Sequence, residues 1–238
     1  MKKDYIALDL ETTGLSPKKD RILEIGAVRV KNNKPVEKFA CLINPGIPVP
    51  AHITQLTGID IAMARSGQEI RPAMEQFLEF CGDSVILGHN IPFDFGFLQQ
   101  NAANLGREFP CMAIDTLQLA RKFLPQLPSR KLGDLCSYYG IVQTRQHRAW
   151  EDASAASMLY QKMAEEFGEG QEMAFEPVRL NYKVKKESPI TNSQKVYLND
   201  LVKYHRIELN VALDTLTKSQ ASRMIDGIIL QYGRIIKR

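Results

Sequence analysis

The first 43 residues read as strand, turn, strand, turn, strand. Tyr5-Ile-Ala-Leu-Asp-Leu10 is a short apolar run that stops at Thr12-Thr13-Gly14, as a buried strand does at a turn. Ile22 to Val30 and Val36 to Ile43 follow, joined through Asn32-Asn33-Lys34, a hairpin turn signal. After this three-strand meander the pattern changes. Ala51 to Gly58 gives one or two helical turns behind Pro48–Pro50. Pro72 to Cys81 is helical, with Met74, Phe77, Leu78 and Cys81 on one face. Val85 to Gly88 is a fourth strand running into a helix that Asn90 or Ile91 caps and Pro92 opens, continuing to about Leu105. Further helices are expected at Asp115–Leu124, Lys131–Tyr139 and Glu151–Phe167. Strands first, then alternating helices and strands, imply an α/β layer structure.

A chain of 238 residues with 44% hydrophobic and 24% charged residues has the apolar material for a sizeable core and no disorder bias. Periodicity fades after Gly168. The expected division is a main domain over 1–168, a linker over 169–189 containing Lys183, Lys185 and Lys186, and a small all-helical unit over 190–238. In the last segment Thr191-x-x-Gln194 and Thr217-x-x-Gln220 each match the capping box that starts a helix. Tyr197, Leu201 and Tyr204 line the first of these helices; Ala221, Met224, Ile225, Ile228 and Ile229 line the second. The charge is uneven: residues 1–176 carry 19 Lys and Arg against 22 Asp and Glu, and residues 177–238 carry 12 against 5. A basic appendage on a near-neutral body suits polyanion binding, and a solvated charged face accounts for it equally well.

The Met1-Lys2-Lys3-Asp4 opening enters a strand holding an aspartate rather than the apolar core of a signal peptide, and no apolar run is long enough to span a membrane; a cytoplasmic location is expected. Cys41, Cys81, Cys111 and Cys136 stand singly with no CxxC pair, and read as reduced, mostly buried thiols.

Asp9 and Glu11 lie two apart at the end of the first strand, so both side chains point to one side of the sheet. Taken alone, such a pair is more often a solvated strand end than a metal site. Asp94 comes in the first turn of the helix after the fourth strand, and Asp152 at the start of the helix opened by Trp150-Glu151. The dipole at a helix N-terminus explains each of these without any chemistry. The four together are less ordinary.

Their contexts are Asp-Leu-Glu-Thr-Thr-Gly, His-Asn-Ile-Pro-Phe-Asp and His-Arg-Ala-Trp-Glu-Asp, in that order. All three resemble the motifs of the DEDD exonuclease superfamily. His147, five residues before Asp152, resembles the histidine subgroup, and the pattern is most similar to its proofreading epsilon-subunit branch of bacterial DNA polymerase III. The resemblance covers about residues 4–165, including the segment from Ala51 to Ile59.

The resemblance implies a ribonuclease H-like mixed sheet, a meander plus parallel strands, flanked by helices. It also implies a pair of divalent cations, Mg²⁺ or Mn²⁺, held by Asp9, Glu11, Asp94 and Asp152. Asp9 would be shared between the ions, Glu11 and Asp152 would serve the ion on the nucleophile side, and Asp94 the other, partly through water. Hard cations take oxygen ligands, and such a pair can stabilise both oxygens of an in-line displacement at phosphorus. His147 is the expected general base, on a loop that begins Gln143-Thr-Arg-Gln146. His52, His89 and His205 have an ordinary structural explanation.

Substrate contacts are expected from the Thr12, Thr13 and Gly14 amides and from Leu15 as a wedge; a plain turn with a core leucine is the alternative. His52, Ile53 and Leu56 correspond to a family segment near the 3′-terminal nucleotides, and could equally form a buried turn. Asn90 and Phe93 divide between capping or packing and nucleotide contact.

The resulting expectation is a metal-dependent 3′–5′ exonuclease acting on single-stranded or frayed DNA and releasing nucleoside 5′-monophosphates. The competing expectations are an RNA-trimming enzyme of the same fold, or a module for recruiting a polymerase or nucleic acid with weak nuclease activity. The expected partners are DNA or RNA 3′ ends and a polymerase or other replication or repair protein.

Overall fold

The computed structural model describes residues 1–110, 112–143, 147–184, 188–209 and 211–235. Cys111, residues 144–146 of the loop expected before His147, and Lys185 and Lys186 of the expected linker lie outside the described residues. Two compact units emerge, Met1–Val184 and Lys185–Arg238.

The first unit is built on one sheet. β1 (Tyr5–Thr12), β2 (Ile22–Lys31) and β3 (Lys34–Leu42) form the meander; β4 (Ile86–Gly88), β5 (Met112–Asp115) and β6 (Val178–Arg179) complete it in the order β3-β2-β1-β4-β5-β6. The β2–β3 turn falls at Asn32 and Asn33, with φ of 49° and 62°. Asparagine tolerates this left-handed region, and two such residues in succession make the turn whose twist matches a hairpin. β1 runs antiparallel to β2 but parallel to β4, and β4 is parallel to β5, so the carboxyl ends of β1, β4 and β5 share one edge. In open α/β sheets that edge is where sites form.

Helices cover both faces. α1 (Ala51–Thr57), α2 (Ile61–Arg65), α3 (Ile70–Cys81), α4 (Ile91–Asn104), α5 (Thr116–Phe123), α6 (Leu132–Tyr138) and α7 (Ala149–Phe167) follow the chain. One core joins Ile6, Leu8 and Leu10 of β1 to Met74 and Phe77 of α3 and to Phe95 and Phe97 of α4. The other joins Tyr5 and Ala7 to Leu119 of α5, Leu135 of α6, and Leu159, Tyr160 and Met163 of α7. β1 thus alternates between two buried faces, and Asp9 and Glu11 continue the series that faces α7. Cys41, Cys81 and Cys136 are free buried thiols. Among the described residues, no helix is long and apolar enough to cross a membrane.

Three features differ from the sequence reading. β5 is not expected from sequence, because Met112-Ala-Ile-Asp is too short to separate from the helix that follows it. α2 is likewise absent from that reading; Asp60 caps it by accepting from the Met63 amide at 2.8 Å. Residues 169–184, expected as linker, belong to the first unit. There Phe175 is fully buried and stacks on Phe123 at 5.4 Å, and β6 pairs with β5.

The second unit holds α8 (Asn192–His205) and α9 (Lys218–Tyr232), each started by a complete capping box at Thr191 and Thr217. Ile190, Leu198, Leu201, Leu216, Ala221 and Ile228 form its core.

Candidate active site

The site grows from the carboxyl edge of β1. Asp9, half-buried, and Glu11, buried, sit opposite Gly26 and Glu24 of β2. α4 begins where β4 ends, and its first turn brings Asp94 back to β1, where its Oδ1 accepts the Leu10 amide at 3.0 Å. That bond places Asp94 beside the backbone between Asp9 and Glu11.

Asp152 arrives from the other side. α7 crosses the sheet so close to β2 that a Cβ on Gly26 would lie 2.0 Å from the Trp150 amide nitrogen and 2.1 Å from the Ala149 carbonyl carbon. Only glycine permits this approach. In the first turn of α7, Asp152 accepts the His147 backbone amide at 2.9 Å through Oδ2 and the Gln143 side-chain amide at 2.8 Å through Oδ1.

Ligand atoms of Glu11, His147 and Asp152 lie within 4.8 Å of one another. His147 is exposed and holds φ at 61°, a conformation unfavourable for a residue with a Cβ. The Asp152 bond to its amide contributes to keeping it there.

Electrostatics identify what this corner lacks. Burial pushes Glu11 from 4.5 to about 8, with Asp152 and Glu24 adding repulsion. Burial lifts Asp94 to about 8 and carries Asp9 well above the ordinary carboxylate range, with the Asp94 and Glu11 charges raising Asp9 further. Asp152 is raised by burial too, opposed by its bond from His147. Carboxyls gathered in a low-dielectric corner resist ionising until positive charge arrives. All the donors are hard oxygens, and an imidazole stands at the rim. Such a set suits divalent cations that prefer oxygen and retain water.

Sequence reading misses the residues that hold this arrangement. Glu24, 3% exposed, receives Arg148 through two nitrogens, Nη2 at 2.7 Å and Nε at 3.1 Å, and also accepts the Ala149 amide at 3.1 Å. This pair pins the start of α7 to β2 one residue after His147. The detectable signal is a glutamate inside the otherwise apolar run Ile22 to Val30. Gly26 carries no signal, because the close approach is a tertiary fact.

The other anticipated residues lie at the end of β1 and the turn after it, on α1 and at the start of α4. Thr13 donates its amide to the Arg21 carbonyl at 2.8 Å, and Thr12 Oγ1 donates to the Gly14 carbonyl at 2.7 Å. Gly14 faces the Asp20 carboxyl so closely that a Cβ would lie 2.6 Å from it. Leu15 is 84% exposed, so it is no core leucine. In α1, His52 and Leu56 are exposed and Ile53 is buried against Leu23 and Ile59. Asn90 is exposed, with φ of 65° at the α4 N-cap, and Phe93 packs on Phe97 at 5.2 Å. His89 bridges Thr116 Oγ1 and the Arg130 carbonyl, each at 2.9 Å, a structural role; His205 Nε2 meets the Gly233 carbonyl.

Comparison with known proteins gives three findings. The RNase_T family model, described as exonuclease, matches residues 6–160. A DNA polymerase III of PolC type from Caldanaerobacter subterraneus is 39% identical over 166 residues, covering 70% of this chain and 12% of its own length; one from Listeria innocua is 30% identical over 239 residues, covering 95% and 17%. The chain therefore spans less than a fifth of these relatives. Among solved structures, Exonuclease X in complex with 5′ overhanging duplex DNA matches with a TM-score of 0.58 and 26% identity, over 68% of this chain and 92% of that one.

Proposed function

We propose that this chain, which belongs to the RNase_T family of exonucleases, removes nucleotides one at a time from the 3′ ends of single-stranded or frayed DNA and releases nucleoside 5′-monophosphates. The observation that carries the reading is the convergence of Asp9, Glu11, Asp94 and Asp152 from β1, α4 and α7, with the His147 imidazole in reach of Glu11 and Asp152. DNA is favoured over RNA because of the company the chain keeps: a DNA polymerase among its relatives, and an exonuclease bound to DNA among its structural neighbours.

The four carboxylates would hold two divalent cations, Mg²⁺ or Mn²⁺, with Asp9 shared between them, Glu11 and Asp152 serving the one on the nucleophile side and Asp94 the other. When bound, such cations stabilise charge on the attacking and leaving oxygens. The chain's own groups do the rest. His147, as general base, takes the proton of the water that attacks phosphorus. The new bond joins that water oxygen to phosphorus, the bond from phosphorus to the 3′ oxygen breaks, and the 3′ oxygen takes a proton from solvent. Exposure suits His147 to this task, since its proton must escape before the next turnover. Leu15, exposed beside the strand end, is assigned to wedge against the terminal base, with Thr12, Gly14, His52, Leu56, Asn90 and Phe93 around the terminal nucleotides; the Thr13 amide is already donated to the Arg21 carbonyl and Ile53 is buried against Leu23 and Ile59, so neither is assigned a nucleotide contact.

The test is cleavage of matched 5′-labelled DNA and RNA single strands with Mg²⁺, Mn²⁺ or EDTA, against the Asp9→Ala variant. A metal-dependent ladder shortening from the 3′ end, stronger on DNA and absent in the variant, is expected. Preference for RNA would replace DNA by RNA in the reading, and cleavage that survives EDTA or Asp9→Ala would overturn it.

A further inference from the structure

The second unit presents a surface the exonuclease chemistry does not use. Its formal charge is an excess of five: 10 Lys and Arg against 5 Asp and Glu over residues 185–238. Where the C-terminal ends of α8 and α9 meet, three rings form a continuous row. Tyr204 meets His205 edge-on with centroids 4.8 Å apart, and His205 meets Tyr232 at 5.6 Å with a 34° tilt. His205 Nε2 lies 3.0 Å from the Gly233 carbonyl and fixes the row to the end of α9. Tyr204 and Tyr232 each keep 49% of their surface exposed, and Tyr197, seven residues before Tyr204 and so on the same flank of α8, keeps 36%.

Lys203, Arg206 and Arg234 are all exposed and neighbour the row in sequence, whereas Asp200 and Glu208 are the acidic residues adjacent to it in the chain. Lys195 lies elsewhere on α8 and pairs with Asp214.

A small folded unit has little reason to leave three tyrosines half out of water, because burying them would stabilise it. Plain positive charge would solvate the unit but needs no rings; an apolar protein partner would use rings but needs no excess of cations. One ligand class uses both features: a flexible polyanion whose repeating units carry flat faces. We infer that α8 and α9 bind single-stranded DNA, with bases stacking on Tyr204, Tyr232 and Tyr197 and the backbone neutralised by Lys203, Arg206 and Arg234. Stacking of this kind tolerates any base, as binding in the same chain as a trimming activity requires. A strand engaged by both units is held more tightly than by either, because the second contact is intramolecular. The inference rests on the proposed function only in taking DNA as the polymer.

The experiment uses the full chain carrying Asp9→Ala, with anisotropy of 5′-labelled oligothymidylate 6-mers and 40-mers across a salt series. Tyr204→Ala with Tyr232→Ala is expected to weaken 40-mer binding about tenfold or more, from the usual worth of a base stack, and to leave the 6-mer unchanged. Tyr204→Phe with Tyr232→Phe keeps the rings and should keep the affinity. Lys203→Gln, Arg206→Gln and Arg234→Gln together should flatten the slope of log K against log salt by about 2, at roughly 0.7 for each phosphate no longer neutralised. If the alanine pair unfolds the unit by circular dichroism, the glutamine triple decides alone. Unchanged 40-mer affinity in a folded ring variant, or an unchanged salt slope in the triple, overturns the inference. Cleavage of the 6-mer by the chain with Asp9 intact tests the proposed function separately.

Discussion

Glu11 and Glu24 face each other across β1 and β2, both buried, and their surroundings could hardly differ more. Glu24 has a guanidinium, a backbone amide and a helix start arranged around it. Glu11 forms no ion pair among the described residues; the Arg148 charge is the weakest influence named on it, and burial pushes its carboxyl up to about 8. One glutamate is satisfied by a guanidinium and a backbone amide, and the other has no such partner among the described residues. The satisfied carboxylate is structure, and the unsatisfied one, held in place by that structure, belongs to the proposed site. Strongly perturbed carboxyls in contact with one another mark such positions.

The sharpest way to break this comparison is to neutralise each glutamate in turn. Glu11→Gln removes a proposed cation ligand and also a buried repulsion. Activity should fall at least about a thousandfold, since several kcal/mol of charge stabilisation at phosphorus are lost, while the melting temperature of the metal-free protein at pH 8 should rise. Glu24→Gln should do the reverse to stability. Breaking a fully buried pair costs about 3–5 kcal/mol; because Arg148 is partly exposed, the loss here is discounted to about 2 kcal/mol. A drop of several degrees is expected by calorimetry, with a lower kcat because the start of α7 loosens. Stability shifts of the same sign in both variants would end the distinction.

His147 sharpens the comparison from the chemical side. His147→Ala should lower kcat about a hundredfold or more, the usual worth of a positioned base. Mn²⁺ affinity, read by calorimetric titration, should stay within a few fold. Retention of full activity at every pH would remove His147 from the reaction.

This division is only half legible in the sequence. Asp9, Glu11, Asp94 and Asp152 sit in contiguous motifs, and each motif lies at the end or start of one element, so strand alternation and helix starts place them. Glu24, Arg148 and Gly26 belong together only after folding. β2 and α7 meet across more than a hundred residues, and no local period records that meeting. The same reason hides β5 and β6, whose partners rather than their own residues make them strands. The capping boxes of α8 and α9 are local, and their helices can be read with starts intact.

Titration offers a milder test on the metal-free protein. Glu11 and Asp94 bind protons more tightly folded than unfolded, so the native state holds more protons between their ordinary values and about 8. Their contribution is then fully present below about pH 4, where both states are protonated, and is lost as pH rises through about 8. Metal-free stability should decline from pH 5 to 8, and saturating Mg²⁺ should abolish most of that slope by supplying the missing charge. Glu11→Gln should flatten it as well, and Glu24→Gln should not.

The smallest effect belongs to Leu15. At 84% exposure it contributes little to the core, so Leu15→Ala should leave the melting temperature within about a degree, as surface substitutions do. If it wedges against the terminal base, truncating its apolar side chain costs about 1 kcal/mol of binding, a rise in KM of several fold with kcat nearly unchanged. Equal KM values for the variant and the parent on a 6-mer would return Leu15 to being an exposed loop residue and confine the site to the corner between Glu11, Asp94 and Asp152.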